Sequence, residues 1–176
     1  MKPVEYIDVY DRDRRATGLI VPRETSLAPG EYRLVVHICV FNSAGKMLIQ
    51  LRSKDKAAYG GLWDISAGGH SRAGENSAAA AERELFEELG IFMDFSRTDP
   101  AMCLNFPGGF DDYYVIDRDG DIDSLKLQRE EVDTVRWADA GEICAMIDSG
   151  EFMPFHKSFF DFIFEMHKNG LDFFRK

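Results

Sequence analysis

The ten residues Tyr32–Phe41, YRLVVHICVF, constrain the fold more than any other stretch. They are β-branched, aromatic and almost continuously apolar, with no polar residue at every second position. A strand with one face in water alternates; one without alternation is covered on both faces. The chain must therefore supply apolar layers above and below this strand, which points to an α/β architecture. Asn42-Ser43-Ala44-Gly45 follows as turn chemistry, and Met47–Arg52 reads as the returning strand of a hairpin. His37 lies inside the first strand with no second His or Cys at metal spacing, so a partly buried histidine with one hydrogen-bond partner is expected.

Further elements surround this core. Val4–Tyr10 and Thr17–Pro22 flank the charged turn 11–15 and read as a hairpin arm over residues 1–30, leading into a domain over 31–176. Trp63–Ser66 is a short strand. Ile91–Phe95 is a candidate strand, and Met102–Phe106 with Phe110–Ile116 forms a hairpin around Pro107-Gly108-Gly109. Residues 117–123, DRDGDID, lack the terminal glutamate of a calcium loop and read as a solvated turn. Val132–Trp137 is a last strand. Asp139–Asp148 is a helix with Asp139 as its cap, and Pro154 opens a final helix to about Lys168. That helix carries more aromatics than one face needs; packing on the sheet is the first expectation, with a homodimer face or a base pocket as alternatives.

Chemistry concentrates in Gly69–Ile91, GHSRAGENSAAAAERELFEELGI. From Asn76 to Leu89 the residues are mostly strong helix formers, with Asn76 or Ser77 as N-cap and Gly90 as C-terminal stop. At about 100° per residue, Glu84, Glu87 and Glu88 fall within an arc of about 100°. They lie beside the apolar seam of Ala78, Ala81, Leu85 and Leu89, not opposite it. A solvated acidic face would sit opposite. Carboxylates gathered at the seam's edge suit a hard divalent cation such as Mg²⁺.

These residues resemble the Nudix box: Gly69, Glu75, Arg83, Glu84, Leu85, Glu87, Glu88, Gly90 and Ile91 fill each of its fixed positions. The resemblance implies an α/β/α sandwich of the Nudix type with a mixed sheet. It also implies hydrolysis of a diphosphate linkage with Mg²⁺ or Mn²⁺. In that reading Glu84, Glu87 and Glu88 bind metal, and the Gly69 carbonyl is an additional ligand. Arg83 orients the acids, while Glu75 stabilises the turn and the helix N-terminus. The general base is Glu84 or an acid of the Glu130–Glu131 pair, so Glu84, Glu88 and Glu131 form the catalytic set. Arg52, Lys54 and Lys56 precede the glycine-rich turn and are candidate phosphate contacts, Arg52 first, because arginine grips phosphate with two nitrogens. His70 is a turn-stabilising side chain or a further phosphate contact.

The surroundings of the box, Arg52-Ser53-Lys54 and then GLWDISAGGH, are similar to the isopentenyl-diphosphate isomerase branch. That chemistry needs a thiol before the Gly-His pair, and Gly68 stands there, with no cysteine in 65–67. Isomerisation is therefore an alternative to hydrolysis, as is a binding module without turnover. Trp63, Phe110, Tyr113 and Tyr114 are candidate base-stacking residues, each more often simply packed. Asp111 and Asp112 are candidate sugar or metal contacts.

The net charge of −10 argues against nonspecific binding to nucleic acid or anionic lipid. The expected partner is a small diphosphate compound, brought in by metal ions and a few local cations. No apolar run is long enough to span a membrane, and the N-terminus lacks a signal-like core, so a cytoplasmic protein is expected. Cys39, Cys103 and Cys144 are scattered and form no zinc-site spacing.

Overall fold

A computed structural model describes residues 4–170. The Tyr32–Phe41 run becomes β3 (Arg33–Phe41), flanked in chain order by β1 (Tyr6–Tyr10), β2 (Ala16–Pro22), β4 (Met47–Arg52), β5 (Trp63–Asp64) and β6 (Ala67–His70). Helix α1 (Ser77–Leu89) follows, then β7 (Met102–Phe106), β8 (Gly109–Asp117), β9 (Val132–Ala138), α2 (Ala140–Ser149) and α3 (Lys157–Asn169). β1 and β2 pair as a separate antiparallel hairpin. The other strands form one mixed sheet in which β3 and β8 run parallel from Arg33–Gly109 to Phe41–Asp117.

The unbroken apolar character of β3 has the predicted cause. Val36, Ile38 and Val40 face α1 and pack with Ala81, Leu85 and Leu89. Cys39 and Phe41 face the other way, toward Ile143 of α2 and Phe160 and Ile163 of α3. Each large aliphatic side chain fully removed from water contributes about 1.5–3 kcal/mol, so both layers are needed to cover this strand. The surplus aromatics of α3 pack inward: Phe159 lies on Tyr113, Phe160 edge-on to Phe152, and Phe164 edge-on to Phe41.

One edge of β3 is shared, and this split builds the site. Beside β3, β4 is in register only at Phe41–Met47, while β6 takes the positions Val35 to Ile38. The buried Ser66 bridges the fork, accepting from the Val40 amide and donating to the Leu48 carbonyl. Beyond Ser66, β6 carries Gly68 and Gly69 into the gap beneath α1.

Three sequence expectations are corrected. Residues 91–95 form no strand. Ile91 and Phe95 are buried over α1, but the Phe95 amide donates to the Glu82 carboxylate and not to a neighbouring strand. The final helix begins at Lys157, not Pro154. Residues 151–153 run alongside Trp63, exchanging Trp63 N–H to Glu151 O and Met153 N–H to Trp63 O at 2.8 Å each, which holds Pro154 outside the helix. The strand expected over Trp63–Ser66 is also shorter: β5 ends at Asp64, and β6 begins only at Ala67. Among the described residues, no helix is long and apolar enough to cross a membrane.

Candidate active site

Helix α1 is capped as its sequence predicts. Asn76 Oδ1 accepts the Ala79 amide at 2.9 Å, and Gly90 takes a left-handed conformation (φ 67°) with its N–H on the Leu85 and Phe86 carbonyls. A side chain at Gly90 would also meet Lys126 Cβ at 2.8 Å. These caps fix the rotation of the helix and therefore the direction of its acids.

Glu88 points into the fork between β4 and β6 and is 4% exposed. Its Oε2 accepts from Gln50 Nε2 (3.0 Å) and from the Gly68 amide (3.1 Å). Burial, and then the neighbouring Glu84 carboxylate, push its pKa up to about 8. Glu84 packs on Gly69, and burial raises its pKa too, against the pull of Arg83. Any side chain at 69 would displace the Glu84 carboxylate: a Cβ there would stand 2.2 Å from Glu84 Oε1.

Arg83 holds the strip together. Its Nε and Nη2 donate to Glu75 (2.7 and 2.9 Å), Nη1 to Glu84 (2.8 Å) and Glu87 (3.2 Å), and Nη2 also to the His70 carbonyl (3.0 Å). Glu75 accepts the Arg72 amide as well, at 2.9 Å. Burial opposes ionisation of Glu75, but these bonds hold its pKa below the usual value. Glu75 thus ties the turn to the helix.

The acids line a cleft of about 490 Å³, within the range that takes a small ligand. Its floor is Gly68, Gly69, Glu84, Glu87 and Glu88. One wall brings Lys56, Gln128 and Glu131, with Lys56 paired to Glu131. Glu130 is exposed and outside the cleft, so the structure brings only the second acid of that pair to the site. The opposite wall is the N-terminal hairpin: Val4, Glu5, Pro22, Arg23 and Glu24.

Other candidates lie elsewhere. Arg52 and Lys54 do not line the cleft; Lys56 does. The Arg52 guanidinium is taken by Asp64 (3.1 Å) and the Ala58 carbonyl (3.2 Å), and Lys54 is exposed. The His70 ring is also absent from the lining. Its Nδ1 is buried without a hydrogen-bond partner, and burial followed by the nearby Arg23 and Arg33 push its pKa down to about 4, so the ring is neutral at pH 7. The aromatics are structural. Phe110 stacks on Tyr32, Tyr113 on His37, and the Tyr114 hydroxyl donates to Ser77, while Arg136 covers Trp63. His37 Nε2 lies 3.0 Å from Asp111 Oδ1, and Asp112 accepts from Arg14 and Ser77.

Among the described residues, no three His, Cys, Asp or Glu side chains already converge on one point. Glu84 and Glu87 are drawn to arginines, Glu88 to Gln50. The donor set nevertheless suits a hard divalent cation. It is all oxygen, two of its acids are buried side by side against their own ionisation, and the backbone at Gly69 is bared toward them.

The family model described as NUDIX domain matches residues 31–161. The chain belongs to the Nudix hydrolase family. It is 45% identical over 152 residues to an uncharacterized Nudix hydrolase of Listeria monocytogenes, covering 86% of this chain and 90% of that one. An isopentenyl-diphosphate Delta-isomerase of Pectobacterium atrosepticum is 32% identical over 89 residues, which is 51% of this chain and 49% of the isomerase. The crystal structure of DR0079 from Deinococcus radiodurans superposes with a TM-score of 0.71 at 22% identity, over 84% of this chain and 91% of that one, and so shares the fold. Nudix hydrolases are in general metal-dependent and act on small molecules.

The sequence reading missed Gln50, Arg72 and the hairpin residues Glu5 and Arg23, and ranked Arg52 above Lys56, the one of the three cations of 52–56 that lines the cleft. Gln50 alone carried a signal: it is a polar residue within the apolar strand Met47–Arg52.

Proposed function

We propose that this Nudix hydrolase cleaves the diphosphate linkage of a nucleoside diphosphate-linked or related small molecule, with Mg²⁺ or Mn²⁺ held by Glu84, Glu87, Glu88 and the Gly69 carbonyl. The observation that carries the reading is the packing of Glu84 on Gly69 at the floor of the cleft, next to buried Glu88. When bound, the cation neutralises charge on the non-bridging phosphate oxygens and lowers the pKa of water.

The chain's own groups do the rest. Gln50 and the Gly68 amide fix the Glu88 carboxylate in the fork. Arg83 keeps Glu84 and Glu87 in a common direction through Glu75 and the turn. Glu84 on the floor and Glu131 on the wall both line the cleft as the two candidate bases, and Lys56 steadies Glu131. A base must lie within hydrogen-bond reach of the water it activates, and both acids line the cleft that would hold it.

Hydrolysis is favoured over isomerisation because no cysteine lines the cleft. Cys39 is buried on the far face of β3, Cys103 is exposed on β7, and Cys144 sits on α2. The test is a panel of nucleotide sugars, nucleoside triphosphates, dinucleotides and prenyl diphosphates with Mg²⁺ or Mn²⁺, each product followed by mass. Charge neutralisation by a metal supplies several kcal/mol, so E84Q, E87Q or E88Q should each lose on the order of 10²-fold or more in kcat with the fold intact. Near-wild-type turnover by all three would remove the box from the chemistry.

A further inference from the structure

The hairpin wall of the cleft holds an alternating row of charges. Glu5 on the hairpin accepts Arg23 Nη1 on Oε2 at 2.7 Å. Its Oε1 accepts Arg72 Nη2 at 2.9 Å and Nε at 3.2 Å. Arg72 continues to Glu87, with Nη1 and Nη2 at 3.0 and 3.1 Å from its two oxygens. The row Glu87, Arg72, Glu5, Arg23 therefore leads from the acidic strip out along the cleft.

The backbone sets this register. The Arg23 amide donates to the Glu5 carbonyl (2.9 Å) and the Ala73 amide to the Tyr6 carbonyl (2.8 Å), so three chain segments lie side by side. Arg33 fixes the segment after β2 by donating to the Arg23 and Thr25 carbonyls. Both arginines thus stand on held backbone while their side chains, paired with Glu5, stay 40% and 39% exposed to an incoming anion.

A carboxylate gripped by two guanidinium groups occupies the place that a phosphate's oxygens fill best, because guanidinium donates in a fork matched to phosphate. We propose that Arg72 and Arg23 form an anion subsite that takes the phosphate lying beyond the one held at the acidic strip, with Glu5 as its occupant in the free protein. The incoming phosphate displaces Glu5, and Arg72 leaves Glu87 free to face the cation. This assigns the N-terminal hairpin a direct part in reading the diphosphate. It rests on the metal-site reading above for the direction in which the substrate lies.

The probe is inorganic pyrophosphate, titrated calorimetrically into the full-length protein with Mg²⁺ and, separately, with EDTA. R23Q and R72Q are each expected to weaken binding at least tenfold, and E5Q to bind as well as the wild type or better. Unchanged affinity in R23Q and R72Q overturns the proposal, as does a wild type that binds no pyrophosphate in either buffer. So does an E5Q variant, folded by circular dichroism, that weakens as much as the arginine variants, since the triad would then be only a tie between hairpin and turn. Mn²⁺ binding followed by electron paramagnetic resonance, without pyrophosphate, keeps the two readings apart. R23Q should leave it unchanged, and a wild type that binds no Mn²⁺ would sink the metal site while the EDTA titration still judges the arginines.

Discussion

Replacing Gly69 by alanine should separate activity from stability. The added Cβ would lie 2.2 Å from Glu84 Oε1, 2.5 Å from Cδ and 2.9 Å from Oε2. Ordinary contact begins near 3.4 Å, so the carboxylate must retreat by roughly 1 Å, and a misplacement of that size costs about 10²-fold in rate. Only the far end of a flexible side chain has to move. The backbone at 69 needs no left-handed conformation, and Gly→Ala at a compatible position stabilises by about 0.4–1 kcal/mol through the unfolded chain. The strained Arg83–Glu84 pair offsets part of this, leaving a Tm within a few degrees of wild type. G68A is the control with the opposite signature. Its Cβ would meet the Val36 carbonyl oxygen at 2.7 Å, a backbone atom that cannot step aside. Overpacking of that kind costs about 1–3 kcal/mol, and at about 2–4 °C per kcal/mol for a chain of this size the Tm falls by several degrees. Thermal unfolding and steady-state kinetics on the best substrate of the panel, with a Mg²⁺ titration, read both effects. A G69A enzyme with wild-type kcat and an unshifted Mg²⁺ titration would refute the placement of Glu84 at the reacting centre.

R83M removes the cation shared by Glu75, Glu84 and Glu87. It should lower activity and, in chemical denaturation, the unfolding free energy by about 3 kcal/mol, the low end for a buried pair because Glu87 is partly exposed, and an unchanged midpoint would show that the network is solvent-screened. F95A empties a fully buried site edge-on to Tyr114 and should cost about 3–5 kcal/mol in urea unfolding; a loss below about 1 kcal/mol would mean that residues 91–95 do not pack on α1. Glu142 closes the capping box of α2, and its bond from the Asp139 amide holds its pKa down to about 2. A depressed folded-state pKa gives stability that is complete above the unfolded value and lost as pH falls toward about 2. Stability of E142Q should accordingly fall less steeply than wild type between about pH 5 and 2, and parallel acid limbs would contradict the assignment.

The sequence made the centre of the fold legible because its constraints are local. The missing alternation in β3 demanded two covering layers, and both are present. The spacing of Glu84, Glu87 and Glu88 placed all three on one edge of α1, and Asn76, Gly90 and Asp139 cap as their chemistry predicts. Errors arose where tertiary contacts outweigh local pattern. Ile91–Phe95 is a short, mostly apolar run like a strand, yet its buried residues, Ile91 and Phe95, reach over a helix, with the Glu82 carboxylate taking an amide that a strand would have paired. Pro154 signals a helix start, but pairing of residues 151–153 with Trp63 delays it.

The same distinction explains which cations were found. Arg52, Lys54 and Lys56 all precede the glycine-rich turn in sequence, and arginine's bidentate grip put Arg52 first. In three dimensions β4 ends in a loop that turns Arg52 toward Asp64 and presents Lys56 to the cleft instead. Arg72 lies inside the box, but its partner Glu5 is 67 residues away, and the clasp that docks the hairpin tip, Arg14 on Asp112, spans 98. No periodicity or spacing rule joins positions so distant. They meet because β1 and β2 cannot cover their own apolar residues and must lie against the sheet: Ile7 and Val9 are 2% and 0% exposed. Burial of those two side chains brings the hairpin to the mouth of the cleft, and once there Glu5 and Arg23 face Arg72 with no further choice of fold. An I7A/V9A variant should therefore weaken pyrophosphate binding through loss of docking even though neither residue lines the cleft, and affinity equal to wild type would break the link between hairpin packing and the anion subsite.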